Sequence, residues 1–389
     1  MKRLISVLCA LLIPPLSGMA AAEPVGQFQN TAVFIDGAFY DGAPFFWAEE
    51  GTRYVPLADV SARAGLDEPV LEDGFIDWQG FWMDAESEDF FFRGDKLYAT
   101  EALLLDAGLV IRMGQYGDQP VIWIEDPEKT LLGDWSDDTM LIAHAMGSID
   151  QESYTNSLEA FIENYAKGFR VFEVDFSLTS DGLPAATHDW AKFAGFIGED
   201  PETYSPPTLA EFKEKRILGS YTPVGFDDIV RLMVKYPDIR IITDTKGGEM
   251  DVTRRTFEAL LSIASGIDAS VLDRIVPQIY NNEMLDVILD IYPWKSVIYT
   301  MYALPEGMSR AEAFRYGYKR GIRVFTTGMN TTEPLFLELI RLTGCRLYRH
   351  TINDWEYYRT NKARGELWGI YTDNLSPLSM DGVEEWMDE

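Results

Sequence analysis

Histidine is almost missing from this chain: among 389 residues there are three, His144, His188 and His350. Any chemistry that needs imidazole must draw on those three. Cysteine is scarcer still, with Cys9 and Cys345 alone. Positive charge is also short, 33 Lys and Arg against 63 Asp and Glu, a formal net charge of −30. That balance argues against a nucleic-acid partner, because phosphate neutralisation needs a Lys/Arg surface. It equally disfavours adhesion to anionic lipid headgroups. Beyond the first two dozen residues no apolar run is long enough for a membrane span. What remains, 47% hydrophobic and 25% charged residues, suits a soluble globular protein with a sizeable core.

The N-terminus reads as a secretory signal. Lys2 and Arg3 precede an apolar run from Leu4 to Leu16, and Ala20-Ala21-Ala22 stand before Glu23. Cleavage after Ala22 is expected, which defines residues 1–22 as a signal peptide and the mature protein as exported. The two basic residues leave with it, taking the formal charge from −30 to −32. Cys345 then becomes the only cysteine, so the mature fold must stand without an internal disulfide.

Two textures follow. Residues 31–126 alternate short apolar runs with turn signals, as in Ala32-Val33-Phe34-Ile35 before Asp36-Gly37. Such runs predict β-hairpins, interrupted by helices at Leu57–Ala64 and Thr100–Ala107. After a charged connector from Asp126 to Asp138, strand and helix patterns alternate. Strands are expected at Met140–His144, Val171–Phe176, Ile239–Asp244, Arg274–Tyr280, Ser296–Met301, Ile322–Thr326, Arg346–His350 and Trp368–Asp373. Amphipathic stretches between them include Ser157–Lys167, Phe226–Tyr236, Val252–Ala264, Arg310–Arg320 and Pro334–Leu342. Eight such units over residues 139–378 predict a (β/α)8 TIM barrel preceded by a small α+β domain. An open doubly wound sheet is the rival, but no Gly-rich phosphate fingerprint follows any strand.

Barrel enzymes carry their chemistry at the C-terminal ends of strands. Those ends hold His144, Glu173 and Asp175, Asp244 and Lys246, Gln278, Thr326, His350 and Asp373. Glu173 and Asp175 are two apart, so on a strand they share a face. Carboxylates converging from two strands suit a hard divalent cation, Mg²⁺ or Ca²⁺.

The same region carries ordered motifs: Ile142-Ala143-His144-Ala145-Met146-Gly147, then Glu173-Val174-Asp175, then Thr179-Ser180-Asp181-Gly182 and His188-Asp189. Asp244-Thr245-Lys246, His350-Thr351-Ile352-Asn353 and Gly369–Pro377 complete the series. This pattern, from Thr139 to Pro377, resembles the glycerophosphodiester phosphodiesterase family, within the superfamily of phosphatidylinositol-specific phospholipase C. The resemblance implies His144 and His188 as an acid–base pair, and Glu173, Asp175 and Asp244 as ligands of one divalent cation. Their places at the strand ends make Lys246, Gln278 and His350 candidate substrate contacts, and the resemblance implies a small-molecule or lipid-headgroup phosphodiester as substrate. Separately, Arg53–Leu66 after an Asp-Gly hairpin resembles the N-terminal domain associated with copper amine oxidases. No copper is implied, because residues 31–126 contain neither His nor Cys.

Three departures stand out. The family has Arg directly after the first His where this chain has Ala145. Thr155-Asn156-Ser157 replaces Glu-Asn-Thr, and Asp244 replaces a Glu. Losing the Arg removes a bidentate phosphate contact. The Asp-x-Lys variant without that Arg also resembles sphingomyelinase D-like phospholipases, which form cyclic phosphates. A barrel that has lost catalysis and serves as a binding or envelope-attachment module is the third reading. Blander roles compete elsewhere: Asp189 and Asn353 as orienting groups, Cys345 as core, Trp78, Phe81 and Trp82 as packing rather than a sugar platform, and Arg93-Gly94-Asp95 as a turn.

Overall fold

The structure, a computed structural model, describes residues 23–29, 31–246 and 249–379. The expected signal peptide lies outside the described residues. The chain divides into two compact units, Met1–Pro127 and Glu128–Glu389.

The first unit is built mostly of antiparallel pairings, with one parallel pair between Ala32–Ile35 and Gln119–Glu125. A five-stranded sheet joins Gly26–Phe28, Phe46–Ala48, Arg53–Pro56, Lys96–Thr100 and Phe90–Arg93, in that spatial order. A four-stranded sheet holds Ala32–Ile35 between Gln119–Glu125 and Ala38–Tyr40, and a three-stranded meander runs from Val70 to Asp84. The helices form at Leu57–Ala64 and Glu101–Asp106. Trp78 is buried and its indole N–H donates to Ser61 Oγ at 2.9 Å, whereas Phe81 and Trp82 are exposed. Trp78 is thus packed in the core, while Trp82 packs at the surface, its ring stacked on Phe75 at 5.6 Å. Gly94, at φ 65°, turns the chain between two paired strands, which accounts for Arg93-Gly94-Asp95 as a turn.

The second unit is a closed eight-stranded parallel barrel. Its strands are β1 (Leu141–Ala143), β2 (Val171–Leu178), β3 (Arg240–Thr245), β4 (Ile275–Ile279), β5 (Ile298–Thr300), β6 (Val324–Gly328), β7 (Arg346–His350) and β8 (Gly369–Thr372). Closure is made by β1, which pairs with β2 through Ala143 and with β8 through Leu141, Ile142 and Ala143. Strand alternation sends one side chain in two into the barrel. Ile142, Val171, Ile242, Val276, Ile298, Val324, Tyr348 and Tyr371 form one buried interior cluster. Two residues further along several strands the inward side chains turn polar: Glu173, Asp244, Gln278, Thr300, Thr326 and His350. The interior is thus apolar below and polar above.

The connector departs from the expectation of a charged linker. Leu132 and Trp135 are buried with that interior cluster, and Trp135 donates its indole N–H to Ser296 Oγ at 2.9 Å. Its ring also stacks on Tyr348, with centroids 5.8 Å apart. The segment plugs the N-terminal end of the barrel, because a closed barrel must fill its floor with apolar side chains. Outside the strands, helices such as Leu158–Ala166, Phe226–Lys235, Met250–Ile267 and Arg310–Lys319 pack a second, larger core. Cys345 lies in that core. Among the described residues no helix is long and apolar enough to cross a membrane.

Candidate active site at the carboxyl end of the barrel

His144 follows β1 directly and is buried, with its Nδ1 2.8 Å from Asp373 Oδ1 at the end of β8. Burial pushes the imidazole toward its neutral form. The hydrogen bond to Asp373 and the negative fields of Glu173 and Asp175 outweigh that and hold the pKa at about 9. Asn353 in turn fixes Asp373, donating to its Oδ2 at 2.9 Å while accepting its backbone N–H at 2.8 Å. A carboxylate on Nδ1 sets the tautomer and leaves Nε2 for chemistry.

The turn after His144 is strained. Ala145 has φ 49° and ψ 43°, and Met146 has φ 67°. This conformation aims the Ala145 N–H at Glu173 Oε2, 2.6 Å away. It persists because Gly147, at φ 83°, lies against Asn164, whose Nδ2 donates to the carbonyls of Met146 and Ser148.

Glu173, Asp175 and Asp244 bring ligand oxygens within 4.8 Å of one another, all three buried. Asp175 stands directly opposite Asp244 in the β2–β3 register. The β2–β3 ladder continues past the strand end, with the Lys246 N–H donating to Phe176 O at 2.9 Å. Lys246 therefore lands beside both: its Nζ is 2.8 Å from Asp175 Oδ1 and also pairs with Asp244 Oδ2. Asn156 grips Asp175 twice, donating to Oδ2 at 2.9 Å and accepting the Asp175 N–H at 3.1 Å. Burial, then the field of Asp175, pushes the Glu173 carboxyl well above the usual carboxylate range. Burial acts the same way on Asp175, yet Lys246 and Asn156 hold it below that range. Glu173 Oε1 is buried without a hydrogen-bond partner. Three buried hard oxygen donors offset by one ammonium, with one acceptor left over, fit a divalent cation.

His188 reaches the same end by a hairpin. The turn Thr179–Gly182 closes with Thr179 Oγ1 donating to Asp181 Oδ1, and Gly182 has φ 77°. The strand Pro184–Ala186 then pairs back antiparallel on β2. His188 Nδ1 is 2.7 Å from Asp189 Oδ2, and the other Asp189 oxygen accepts the Lys192 N–H at 2.6 Å, capping the helix Trp190–Ile197. Both imidazoles thus carry a carboxylate on Nδ1. Their side chains differ in exposure, 10% for His144 and 35% for His188. The Tyr154 ring lies between them, edge-on to His144 at 4.8 Å and to His188 at 5.3 Å.

His350 stacks on Tyr371 at 3.7 Å, and its pKa is held well below the usual value by burial and by His144 and Lys246. Gln278 is fully buried; Tyr371 donates to its Oε1 at 2.9 Å, and its Nε2 donates to the Tyr280 hydroxyl at 3.3 Å. Tyr280 also donates to Asp244 Oδ1 and contacts the Tyr302 hydroxyl at 3.2 Å. Of the eight residues given a role from the sequence, seven lie on the barrel strands or directly after them, and His188 is returned to the same end by the hairpin, although Gln278 is bound up in tyrosine contacts. Sequence reading assigned no role to Tyr154, Lys192, Tyr280, Tyr302 or Asp373. Asp373 did stand at a strand end. The tyrosines follow strands as ordinary aromatic residues and carry no motif.

No family model matches this chain, and no curated protein matches it in sequence. Solved structures do. One from Silicibacter pomeroyi, described as a glycerophosphoryl diester phosphodiesterase, is 18% identical with a TM-score of 0.53, covering 67% of this chain and 98% of its own. A phosphodiesterase from Oleispira antarctica, in complex with the product sn-glycerol-3-phosphate, is 16% identical with a TM-score of 0.52, covering 64% and 97%. A glycerophosphodiester phosphodiesterase from Parabacteroides distasonis is 17% identical with a TM-score of 0.51, covering 65% and 99%. At this identity the likeness shows a shared fold, the (β/α)8 barrel.

Proposed function

We propose that this chain is a metal-dependent phosphodiesterase acting on a glycerophosphodiester or a related phosphodiester. The observation that carries the reading is a single cluster at the barrel mouth: two imidazoles, each with a carboxylate on Nδ1, beside three buried carboxylates and a lysine. The Oleispira antarctica structure, bound to glycerol phosphate, supports the substrate class by its likeness of fold.

Glu173, Asp175 and Asp244 would hold the cation. When bound, it offsets the charge of the phosphodiester and of the transition state. His144, kept cationic by Asp373, donates its Nε2 proton to the leaving alkoxide. His188, the more exposed imidazole, accepts the proton of the attacking hydroxyl through Nε2. Each such transfer contributes on the order of 10²–10⁴ in rate. Lys246 helps to keep Asp175 ionised and so ready to ligate.

A second reading has one observation in its favour. Ala145 and the Asp244-Thr245-Lys246 triplet match the sphingomyelinase D-like pattern, in which a substrate hydroxyl attacks and a cyclic phosphate is released. Incubating glycerophosphodiesters, lysolipids and phosphodiester-linked glycans with Mg²⁺ or Ca²⁺, with products followed by phosphorus NMR, tests both. Phosphomonoester products support hydrolysis, and a cyclic phosphate as end product replaces it with the second reading. Loss of turnover in His144→Ala and in His188→Ala is expected; turnover by either at the wild-type rate would sink the acid–base assignment.

Export through residues 1–22 belongs to the same proposal. The likeness of the first unit to the copper amine oxidase N-terminal domain rests on Arg53–Leu66 and its hairpin.

A further inference from the structure

An anion entering this site meets Glu173, Asp175, Asp244, Asp189 and Asp373, so the cations that remain free for it matter more than usual. Lys246 is committed, paired with both Asp175 and Asp244. Ala145 brings no charge, and its peptide N–H is spent on Glu173. Lys192 is different. It sits in the first turn of the helix Trp190–Ile197, and its backbone is anchored by the carboxylate that orients His188. Its Nζ stands 3.5 Å from the centroid of the Tyr154 ring, the same ring that both imidazoles flank. Among the described residues no carboxylate forms an ion pair with that ammonium; against burial, which raises the Asp373 and Asp189 carboxyls, hydrogen bonds do most to lower them, and the Lys192 field adds a smaller part.

Tyr154 is well held for such a task. Its backbone takes φ 65°, and its carbonyl accepts Asn156 Nδ2 at 3.4 Å, the same amide that grips Asp175. A ring face attracts a cation through its quadrupole but does not neutralise it. An ammonium kept there stays available to an anion.

We propose that Lys192 is a substrate-binding residue whose ammonium leaves the Tyr154 face to contact a non-bridging oxygen of the phosphodiester. It takes over the charge, though not the bidentate geometry, of the arginine that Ala145 replaces. The assignment rests on the phosphodiesterase reading.

The test uses Lys192→Gln and Lys192→Arg in the full protein with Mg²⁺. Binding of inorganic phosphate is measured by calorimetry, alongside kcat and KM on a glycerophosphodiester. Lys192→Gln should weaken phosphate binding and raise KM by about tenfold, the usual worth of one charged hydrogen bond. Lys192→Arg should recover most of both. Unchanged phosphate affinity and KM in Lys192→Gln, or no phosphate binding by the wild type, would overturn the proposal. If phosphate binds through Lys192 but no phosphodiester is turned over, the catalytic reading fails and the binding role stands. If turnover is normal and Lys192→Gln matches wild type, the binding role alone fails.

Discussion

Asp373 Oδ1 lies 2.8 Å from His144 Nδ1 although 229 residues separate the two in the chain. The contact exists only because β8 closes on β1, so it couples barrel closure to the protonation state of one imidazole.

Asp373→Asn should lower the His144 pKa from about 9 in metal-free protein, since burial then meets weaker opposition. Imidazole ¹⁵N shifts followed against pH measure it. The sign for stability follows. A histidine raised on folding contributes fully below its unfolded pKa near 6.5 and loses that contribution as pH rises through about 9. The stability gap between wild type and Asp373→Asn should be on the order of 3 kcal/mol at pH 6 and shrink toward pH 10. A gap that does not change with pH would refute the coupling.

Glu173→Gln should separate the two faces of the carboxylate cluster. Without metal, a carboxyl raised far above its usual range destabilises the fold as pH climbs past that range, so the amide should melt at an equal or higher temperature at pH 8. The Ala145 N–H keeps an acceptor in the amide oxygen. With Mg²⁺ or Ca²⁺ at 100 times its dissociation constant, wild type should gain about 2.7 kcal/mol and the variant far less. Equal metal-induced shifts would count against ligation by Glu173.

How much of this was legible in the sequence depends on distance along the chain. The eight-unit alternation and the position of each strand were readable because hydrophobic period is local. Glu173 and Asp175 could be placed on one face from spacing alone. Trp135 escaped because it sits among charges, and only the closed barrel supplies the floor that it fills. Tyr154 and Lys192 escaped for a related reason: their meeting depends on a hairpin returning His188 to the mouth and on a left-handed turn at Tyr154, neither of which leaves a periodic mark. The expected substrate contact at Gln278 came from its strand-end position, which does not reveal the tyrosine hydroxyls that occupy its amide.

His350 should respond to pH in the opposite sense to His144. Its pKa is depressed on folding, so it contributes stability above pH 6.5 that is lost as pH falls. Its ring signals should stay at their neutral positions as pH falls through 6.5, where a free imidazole titrates. His350→Phe preserves a ring to stack on Tyr371 and should flatten the acid side of the stability profile. A variant with the wild-type acid limb would show that His350 is not part of it.

Gly147→Ala should be costly for a reason tied to the site. A Cβ there would fall 2.4 Å from Asn164 Nδ2, and the backbone is at φ 83°, a conformation that side chains rarely adopt. Asn164 would have to release the carbonyls of Met146 and Ser148, which hold the turn carrying His144. A loss of about 2–4 kcal/mol is expected, with a fall in kcat larger than any change in KM. Asn164→Ala alone should cost about 1–3 kcal/mol by leaving buried carbonyls unpaired. Because both changes strike the same contact, the double variant should be less destabilised than the two singles added together. Strict additivity in chemical denaturation would mean that Gly147 is required for its backbone angle alone and that Asn164 does not relay the effect.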